Sequence, residues 1–304
     1  MEPYRQRPSP ETLAWVARCV SPTARVVAWR RLSGGSPQAS VHRVTVATSG
    51  AARHLVLRRW TPGGEDWSEW ARSAVRAEAC VLEALAATDV PAPRLIAATD
   101  GVDTAGVPAV LMTRAPGRLQ LQPAQPDDWV HQMAAMLATI HAAGIAAPEW
   151  ESWIDAHALA VPPWTRRPAV WDAAIKAACE AADGPRCFIH RDYQHFNILW
   201  RRNKLTAVID WADASTGPPD IDVGHCRLNL AVLFSAALAE QFRRAYEREA
   251  GRTVDPRWDI TSLLSFSEAW HSGIPRQVAG RTAVDQVGMD GRVEDLLAAA
   301  VARL

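Results

Sequence analysis

The stretch that decides the fold of this chain is CFIHRDYQHFNILW, residues 187–200. Its two ends are apolar, as expected of a buried strand, but its middle carries ionisable and amide side chains, namely His190, Arg191, Asp192 and Asn197. Burying charge is costly unless the groups are paired or hydrogen-bonded, so core packing alone does not explain these residues. The stretch therefore predicts a functional site.

The spacing of these polar residues indicates one kind of chemistry. Asp192 comes five positions before Asn197, and Asp210 follows thirteen positions after Asn197 in the run KLTAVIDW. Phosphoryl transfer needs a carboxylate that accepts a hydroxyl proton, and hard oxygen ligands that hold Mg²⁺. We therefore predict that Asp192 is catalytic, that Asn197 and Asp210 bind metal, and that His190 braces the loop backbone. The alternative is an Asp-capped loop around a buried, hydrogen-bonded histidine.

Composition limits the class of protein. The 304 residues are too many for one small core and fit two lobes. A net charge of zero argues against nucleic-acid or membrane partners. The five cysteines are scattered, odd in number and without CxxC spacing, which argues against a disulfide framework and a zinc site, and the N-terminus has no apolar signal segment. These features predict a cytoplasmic protein without a membrane span.

Hydrophobic patterns divide the chain into two parts. Valine-rich runs in the first 115 residues predict strands, and residues 68–88 predict one long helix with Ser68 as its N-cap. Beyond a Pro-Gly linker, amphipathic patterns predict mostly helices. Within that second part, residues 187–200 and 204–215 predict two short β-runs that pair like a hairpin. The sequence thus predicts an α+β architecture.

Three motifs resemble the aminoglycoside phosphotransferase family, the small-molecule branch of the protein-kinase-like fold. They are HRDYQHFNILW, TAVIDW and GPPDIDVGH, and the similarity is weak only over the last fifty residues. The resemblance implies a two-lobed kinase-like fold and transfer of phosphate from ATP (or GTP), with Mg²⁺, to a hydroxyl of a small molecule, often an antibiotic. It implies an N-terminal nucleotide-binding lobe at 1–113, a linker at 114–118 and a C-terminal catalytic and substrate-binding lobe at 119–304.

The resemblance also assigns nucleotide-binding positions. The turn after the first strand would cover the phosphates. The backbone groups of the residues just before the linker would contact the adenine. Arg58 stands where the family has a lysine that holds the α- and β-phosphates, and Glu78 would be its ion-pair partner. The alternative is that these two residues form a surface salt bridge that contributes little to stability. The remaining positions are Ser33, Gly34, Gly35, Met112 and Thr113.

One residue type departs from the family pattern. The only lysines are Lys176 and Lys204, so no lysine in the N-terminal lobe can hold phosphate. Arginine can replace it, because its guanidinium is always charged and grips phosphate with a fork of donors. The missing lysine favours a non-catalytic nucleotide-binding pseudokinase, whereas the complete set of Asp192, Asn197 and Asp210 favours an enzyme.

A protein kinase is a poorer match. Asp210 is followed by Trp211 rather than by Phe-Gly, and the Ala-Pro-Glu triplet at 147–149 precedes the catalytic loop. It therefore cannot close an activation segment, which follows the metal-binding aspartate. The resemblance further implies that Asp222 fixes the catalytic loop through backbone hydrogen bonds.

The acceptor is left open by the sequence. After residue 120 acidic residues outnumber basic ones, which would suit a cationic acceptor such as an aminoglycoside. Choline, homoserine, methylthioribose and macrolides stay as alternatives, and the oligomeric state is unknown. Both helix packing and an aromatic acceptor wall would explain a cluster of tryptophans, and His195 could be a packing or a contact residue. The cluster comprises Trp150, Trp153, Trp164 and Trp171.

Overall fold

The computed structural model describes residues 7–32, 39–60, 67–101, 104, 106–180 and 183–304. The chain divides into two compact units, Met1–Ala115 and Pro116–Leu304. The division falls inside the stretch 114–118 that the sequence marks as a linker. Among the described residues, no helix is both long enough and apolar enough to cross a membrane.

The N-terminal unit is built on an antiparallel sheet of five strands in the order β1-β2-β3-β5-β4. Strand β2 alternates between buried and partly buried positions, as expected where one face of a sheet meets a core. Its Val44 and Val46 pack with Leu55 and Leu57 against Trp15 of helix α1. The elements are α1 (Pro10–Val20), β1 (Arg25–Arg31), β2 (Ala39–Ala47), β3 (Ala52–Trp60), α2 (Trp67–Leu85), β4 (Leu95–Thr99) and β5 (Ala109–Thr113).

Helix α2 begins earlier than the sequence predicts. It starts at Trp67, so Ser68 lies within its first turn and the prediction that Ser68 is the N-cap is wrong. Residue patterns locate the ends of a helix only to within one or two positions, because the end turns are less regular than the interior. The helix packs against β4 and β5 and presents the buried Glu78 to the sheet.

The C-terminal unit is mostly helical, and helix α5 lies at its centre. This helix is buried from Pro219 to Val232 and packs against α6, α7 and α9. At Gly224 the neighbouring helix approaches so closely that a Cβ atom would lie 2.7 Å from Ser262 Cβ. The helices are α3 (Pro126–His141), α4 (Pro168–Cys179), α5 (Pro219–Leu233), α6 (Ala236–Ala250), α7 (Pro256–Leu263), α8 (Ala269–Val278) and α9 (Met289–Val301).

Helix α5 is unusual because several of its buried side chains are polar. Such side chains require hydrogen-bond or charge partners inside the protein. Asp220 Oδ2 accepts a hydrogen bond from Arg252 Nη2 at 2.8 Å, and Arg227 donates to Asp259. The helix therefore carries charge into the centre of the unit without leaving these groups unpaired.

Four short strands form two nested antiparallel pairs. Strands β7 (Ile198–Arg201) and β8 (Lys204–Val208) form a hairpin, and its turn residues Arg202 and Asn203 both have positive φ. Strands β6 (Cys187–Ile189) and β9 (Ser215–Gly217) pair outside that hairpin. The predicted pairing of two β-runs is thus found as two pairs, which hold residues 190–197 and 209–214 between them.

Candidate functional site

The loop that follows β6 is held by a buried carboxylate of helix α5. Asp222 accepts hydrogen bonds from the backbone N–H groups of His190 and Arg191, each at 2.7 Å. Arg191 has φ of 74°, a left-handed conformation that is unfavourable for a non-glycine residue. The two bonds to Asp222 stabilise this conformation and so fix the direction in which the following residue, Asp192, leaves the strand.

Asp222 stays ionised despite its burial. Burial raises the pKa of this carboxyl, but the hydrogen bond and charge of His141, with further contributions from His190, bring the pKa below its usual value. His141 Nε2 lies 3.2 Å from Asp222 Oδ2, and its Nδ1 lies 2.7 Å from the hydroxyl of Tyr246. The anion is therefore anchored on one side by helix α3 and on the other by the loop backbone.

Asp192 presents an ionised carboxylate that solvent can reach. Its Oδ1 lies 2.8 Å from His225 Nε2 and also accepts from Gln194, while its Oδ2 accepts from Asn197 Nδ2 at 2.8 Å. Burial raises the pKa of Asp192, but the His225 hydrogen bond and charge, then His190 and Asn197, lower it below its usual value. The side chain is 23% exposed, so the carboxylate is oriented by donors and still open to a ligand.

The amide of Asn197 has a fixed orientation. Its Nδ2 donates to the main-chain carbonyl of Asp192 at 2.9 Å and to Asp192 Oδ2. Because the nitrogen is committed to these two acceptors, the amide oxygen Oδ1 points the other way and can bind a cation. The sequence-predicted metal ligand thus has a hard oxygen available.

The backbone brings the second predicted metal ligand next to Asn197. Ile209 N–H donates to the Asn197 carbonyl at 2.8 Å, which extends the β7–β8 pairing by one step, and Asp210 is the next residue. The Ile209 carbonyl accepts from His190 Nε2 at 3.0 Å. His190 is fully buried and therefore ties the loop to the end of β8, as a bracing residue would.

These residues fit a Mg²⁺ ion that arrives with a nucleotide. Mg²⁺ is commonly bound by one or two protein oxygens together with substrate phosphates and waters. The Asn197 amide has such an oxygen, and Asp210 follows the residue whose N–H bonds to the Asn197 carbonyl. These two residues are therefore the candidate protein ligands of a metal ion whose coordination phosphate oxygens would complete.

His225 was missed by sequence reasoning. It lies three residues after Asp222 on helix α5, so the two side chains emerge from the same helix face. Both contact the loop of residues 190–197, Asp222 through the loop backbone and His225 through the Asp192 side chain. The three-residue spacing inside PPDIDVGH was the available signal. Gln194, whose amide donates to Asp192 Oδ1, was missed as well.

The tryptophan cluster has two different roles in the structure. The ring centres of Trp164 and Trp171 lie 5.4 Å apart in an edge-to-face arrangement, and Trp171 is buried. These two residues therefore contribute to helix packing. Trp153 is instead 52% exposed, and its ring centre lies 3.6 Å from Cζ of the Arg191 guanidinium. Burial lowers the pKa of Arg191 to about 10, so it remains a cation at neutral pH. An exposed aromatic ring therefore lies beside the loop of residues 190–197.

His195 is a packing residue. It is fully buried, and its ring lies near those of Trp129, Phe196 and Phe234. Burial lowers the pKa of His195 to about 3, so the ring is neutral at physiological pH.

In the N-terminal unit, Arg58 and Glu78 form an ion pair. Arg58 Nη1 on β3 lies 3.2 Å from Glu78 Oε1 on α2, and both side chains are buried, with 9% and 2% exposure. The pair is therefore not a surface salt bridge, and the guanidinium also lies 5.6 Å from the ring centre of Trp60. A role in holding nucleotide phosphates stays a prediction.

The other nucleotide-binding predictions fall on the sheet and on a turn. Met112 and Thr113 end strand β5, and the Thr113 N–H already donates to the Arg94 carbonyl at 2.9 Å. The Thr113 hydroxyl accepts from the Arg94 N–H at 2.8 Å, so that N–H and the hydroxyl are engaged within the sheet. The turn of Ser33, Gly34 and Gly35 lies outside the described residues.

Comparison with solved structures shows the fold. A thermostable mutant of aminoglycoside phosphotransferase APH(4)-Ia, in ternary complex with AMP-PNP and hygromycin B, matches with a TM-score of 0.60 and 18% identity over 96% of this chain and 98% of that one. The apo form of that enzyme's thermostable mutant matches with a TM-score of 0.58 and 20% identity, over 92% and 95%. The ternary complex of streptomycin, ATP and APH(2")-IIa matches with a TM-score of 0.53 and 15% identity, over 90% and 92%.

These matches confirm the predicted kinase-like α+β fold. A comparison with curated protein sequences gave no significant match. The sequence model of the phosphotransferase enzyme family, APH, matches residues 28–264, which include every predicted site residue and most of the chain. The chain therefore belongs to the phosphotransferase enzyme family.

Proposed function

We propose that this enzyme is a Mg²⁺-dependent kinase that moves the γ-phosphate of ATP (or GTP) to a hydroxyl of a small molecule. One observation carries the proposal: Asp192 is an ionised, partly exposed carboxylate whose two oxygens are oriented by His225, Gln194 and Asn197. Such a carboxylate can accept a hydrogen bond from an incoming hydroxyl. Beside it, the Asn197 amide keeps its oxygen for a cation.

The proposed step is an in-line displacement. The acceptor oxygen bonds to the γ-phosphorus, the bond from that phosphorus to the β–γ bridging oxygen breaks, and the nucleoside diphosphate leaves. Asp192 takes the hydroxyl proton and later passes it to water. Mg²⁺, held by Asn197 and Asp210 when bound, would neutralise charge on the phosphates. A lowered pKa makes Asp192 a weak base, which suits a loose transition state where the proton moves late.

In the N-terminal unit, we assign phosphate binding to Arg58. Its permanent charge and forked donors suit the α- and β-phosphates, and Glu78 keeps the guanidinium in one orientation. The turn Ser33, Gly34 and Gly35 would add backbone N–H donors. We keep Met112 and Thr113 as the proposed adenine contact, made through backbone groups other than the Thr113 N–H.

For the acceptor, we favour an aminoglycoside-like antibiotic. Solved structures that this fold resembles contain hygromycin B or streptomycin together with a nucleotide. The excess of acidic residues after position 120 suits a polycationic acceptor. Alcohols of primary metabolism, such as choline, homoserine or methylthioribose, are the alternatives. We expect a cytoplasmic enzyme with neither nucleic-acid nor membrane partners.

A coupled assay of ADP or GDP release tests the proposal. The protein is incubated with Mg²⁺ and ATP or GTP across aminoglycosides, macrolides and primary-metabolite alcohols, and Asp192→Asn is compared with Asp172→Asn. Asp172 is an exposed acid of α4 that pairs with Lys176, so it serves as a matched control.

We expect one acceptor class to stimulate turnover in the parent and in the control. In Asp192→Asn, turnover should fall by about 10²- to 10⁴-fold with nucleotide binding retained, which is the range for loss of a general base. Nucleotide binding by the parent without turnover on any acceptor would instead favour the pseudokinase, the alternative raised by the arginine at position 58.

A further inference from the structure

His225 reaches the proposed catalytic carboxylate from a different element. Its Nε2 lies 2.8 Å from Asp192 Oδ1, and the residue is only 6% exposed. The other two donors to that carboxylate, Gln194 and Asn197, belong to the same loop as Asp192. His225 is therefore the contact that ties the Asp192 side chain to the central helix of the unit.

We propose that His225 is a positioning residue for phosphoryl transfer, which holds Asp192 Oδ1 so that the carboxylate keeps one orientation toward the acceptor hydroxyl. The proposal rests on the proposed function, because it assumes that Asp192 receives that hydroxyl. It adds a role for a residue that neither the catalytic motif nor the metal-binding motif contains.

The direction of the hydrogen bond follows from the other contacts of the Asp192 carboxylate. Its Oδ1 accepts from the Gln194 amide nitrogen and its Oδ2 from the Asn197 amide nitrogen, so the carboxylate acts as an acceptor and His225 donates from Nε2. The ring is held in place from two further sides. The ring centre of Trp153 lies edge to face at 5.4 Å from that of His225, and Asn229 Nδ2, one helical turn on, lies 3.2 Å from His225 Nε2 while it donates to the His225 carbonyl at 3.0 Å.

The helix that carries His225 has little freedom to move. Asp222, on the same face, is bound to the loop backbone, and Gly224 lets helix α7 approach α5 so closely that a Cβ atom would lie 2.8 Å from the Asp259 carbonyl oxygen. One rigid helix thus fixes both the backbone of the loop, through Asp222, and the reacting side chain, through His225. Displacement of a reacting group by about 1 Å can cost on the order of 10²-fold in rate.

Two variants separate positioning from simple space filling. His225→Leu fills similar volume without a donor, whereas His225→Gln offers an amide N–H at comparable reach. His131→Leu is the matched control, because His131 is an exposed histidine of α3 that pairs with Glu249. The probe is MgATP alone, with water as the phosphate acceptor, and phosphate release gives kcat and KM.

We expect His225→Leu to lower kcat about 10- to 100-fold with KM for ATP within about 3-fold of the parent value. His225→Gln should recover most of that loss, and His131→Leu should match the parent. Equal losses in the Leu and Gln variants, both folded by circular dichroism, would overturn the inference, as would full activity in His225→Leu.

A second measurement needs no turnover. Long-range ¹H–¹⁵N spectra of histidine rings report which ring nitrogen carries the proton. We expect His225 to be protonated at Nε2, with a signal that shifts in Asp192→Asn. A ring protonated only at Nδ1, or a signal indifferent to Asp192→Asn, overturns the inference whether or not the chain is a kinase. An intact Asp192-dependent signal in a parent without turnover on any acceptor overturns the proposed function instead.

Discussion

The Arg58–Glu78 pair and the loop that carries Asp192 are held in different ways. Arg58 stands on strand β3, which pairs with β2 on one side and β5 on the other, and its partner Glu78 stands on helix α2. Asp192 stands on a loop, next to a non-glycine residue with a left-handed backbone. The first site inherits its geometry from regular secondary structure, whereas the second does not.

The difference explains why helix α5 carries the buried polar residues Asp222 and His225. A loop has no ladder of backbone hydrogen bonds, so side chains from elsewhere must fix it. Asp222 binds the loop backbone and His225 binds the Asp192 side chain, both from helix α5. We therefore expect substitutions on α5 to affect the site far more than conservative substitutions in the N-terminal pair.

The largest effect is expected for Asp222→Asn. The amide can accept at one oxygen only, so its NH₂ group faces one of the two N–H donors of His190 and Arg191. We expect a loss of about 3 kcal/mol in the free energy of unfolding, since a buried charge-assisted network is broken, together with loss of turnover. Urea denaturation measures the first effect, with Asp172→Asn as control, and a loss below about 0.5 kcal/mol would contradict the comparison.

The pH dependence of that loss sharpens the same point. The pKa of Asp222 is lowered in the folded protein, so its contribution to stability is present above the usual carboxyl pKa and is lost as the pH falls through the folded value. The difference in unfolding free energy between the parent and Asp222→Asn should be constant from pH 7 to about 5 and narrow below about pH 4. If the difference in unfolding free energy between the parent and Asp222→Asn increased toward acid pH, Asp222 would not be the stabilising anion.

A smaller effect is expected for Arg58→Lys. The charge opposite Glu78 is kept, but the guanidinium fork is replaced by a compact ammonium group. Because strand β3 and helix α2 are fixed by their own hydrogen bonds, we expect an unfolding free energy within about 1.5 kcal/mol of the parent. We expect kcat to change by about 3- to 10-fold and KM for ATP by less, because the form of the charge affects phosphate alignment more than binding. A destabilisation as large as that of Asp222→Asn would remove the distinction between the two sites.

The smallest effect is expected for Lys176→Ala. Lys176 Nζ lies 2.7 Å from Asp172 Oδ2 on helix α4, and both side chains are largely exposed. Exposed i,i+4 pairs contribute about 0.3–0.5 kcal/mol. Thermal and urea unfolding should therefore barely change, and this variant sets the baseline for the others. A loss near that of Asp222→Asn would mean that burial does not separate strong from weak pairs here.

Local patterns predicted the elements and the chemistry of the site. The strands, the long helix α2 and the residues Asp192, Asn197 and Asp210 all follow from periodicity or from spacing along one short stretch. The prediction that Ser68 caps α2 was wrong because a sequence pattern locates the end of a helix only to within one or two residues. His225 was missed because its three-residue spacing from Asp222 places the two side chains on one face of α5 but does not show what that face contacts.

The sequence by itself determined the family, the α+β architecture and which side chains are candidates for the chemistry, because motifs and hydrophobic patterns depend on residue type and short-range spacing. Tertiary structure alone decided that His225 reaches the Asp192 carboxylate, and that Trp171 is packed while Trp153 is exposed. The physical reason is that a contact between residues some thirty positions apart depends on how helices and loops pack, and packing is set by the whole core rather than by any local pattern.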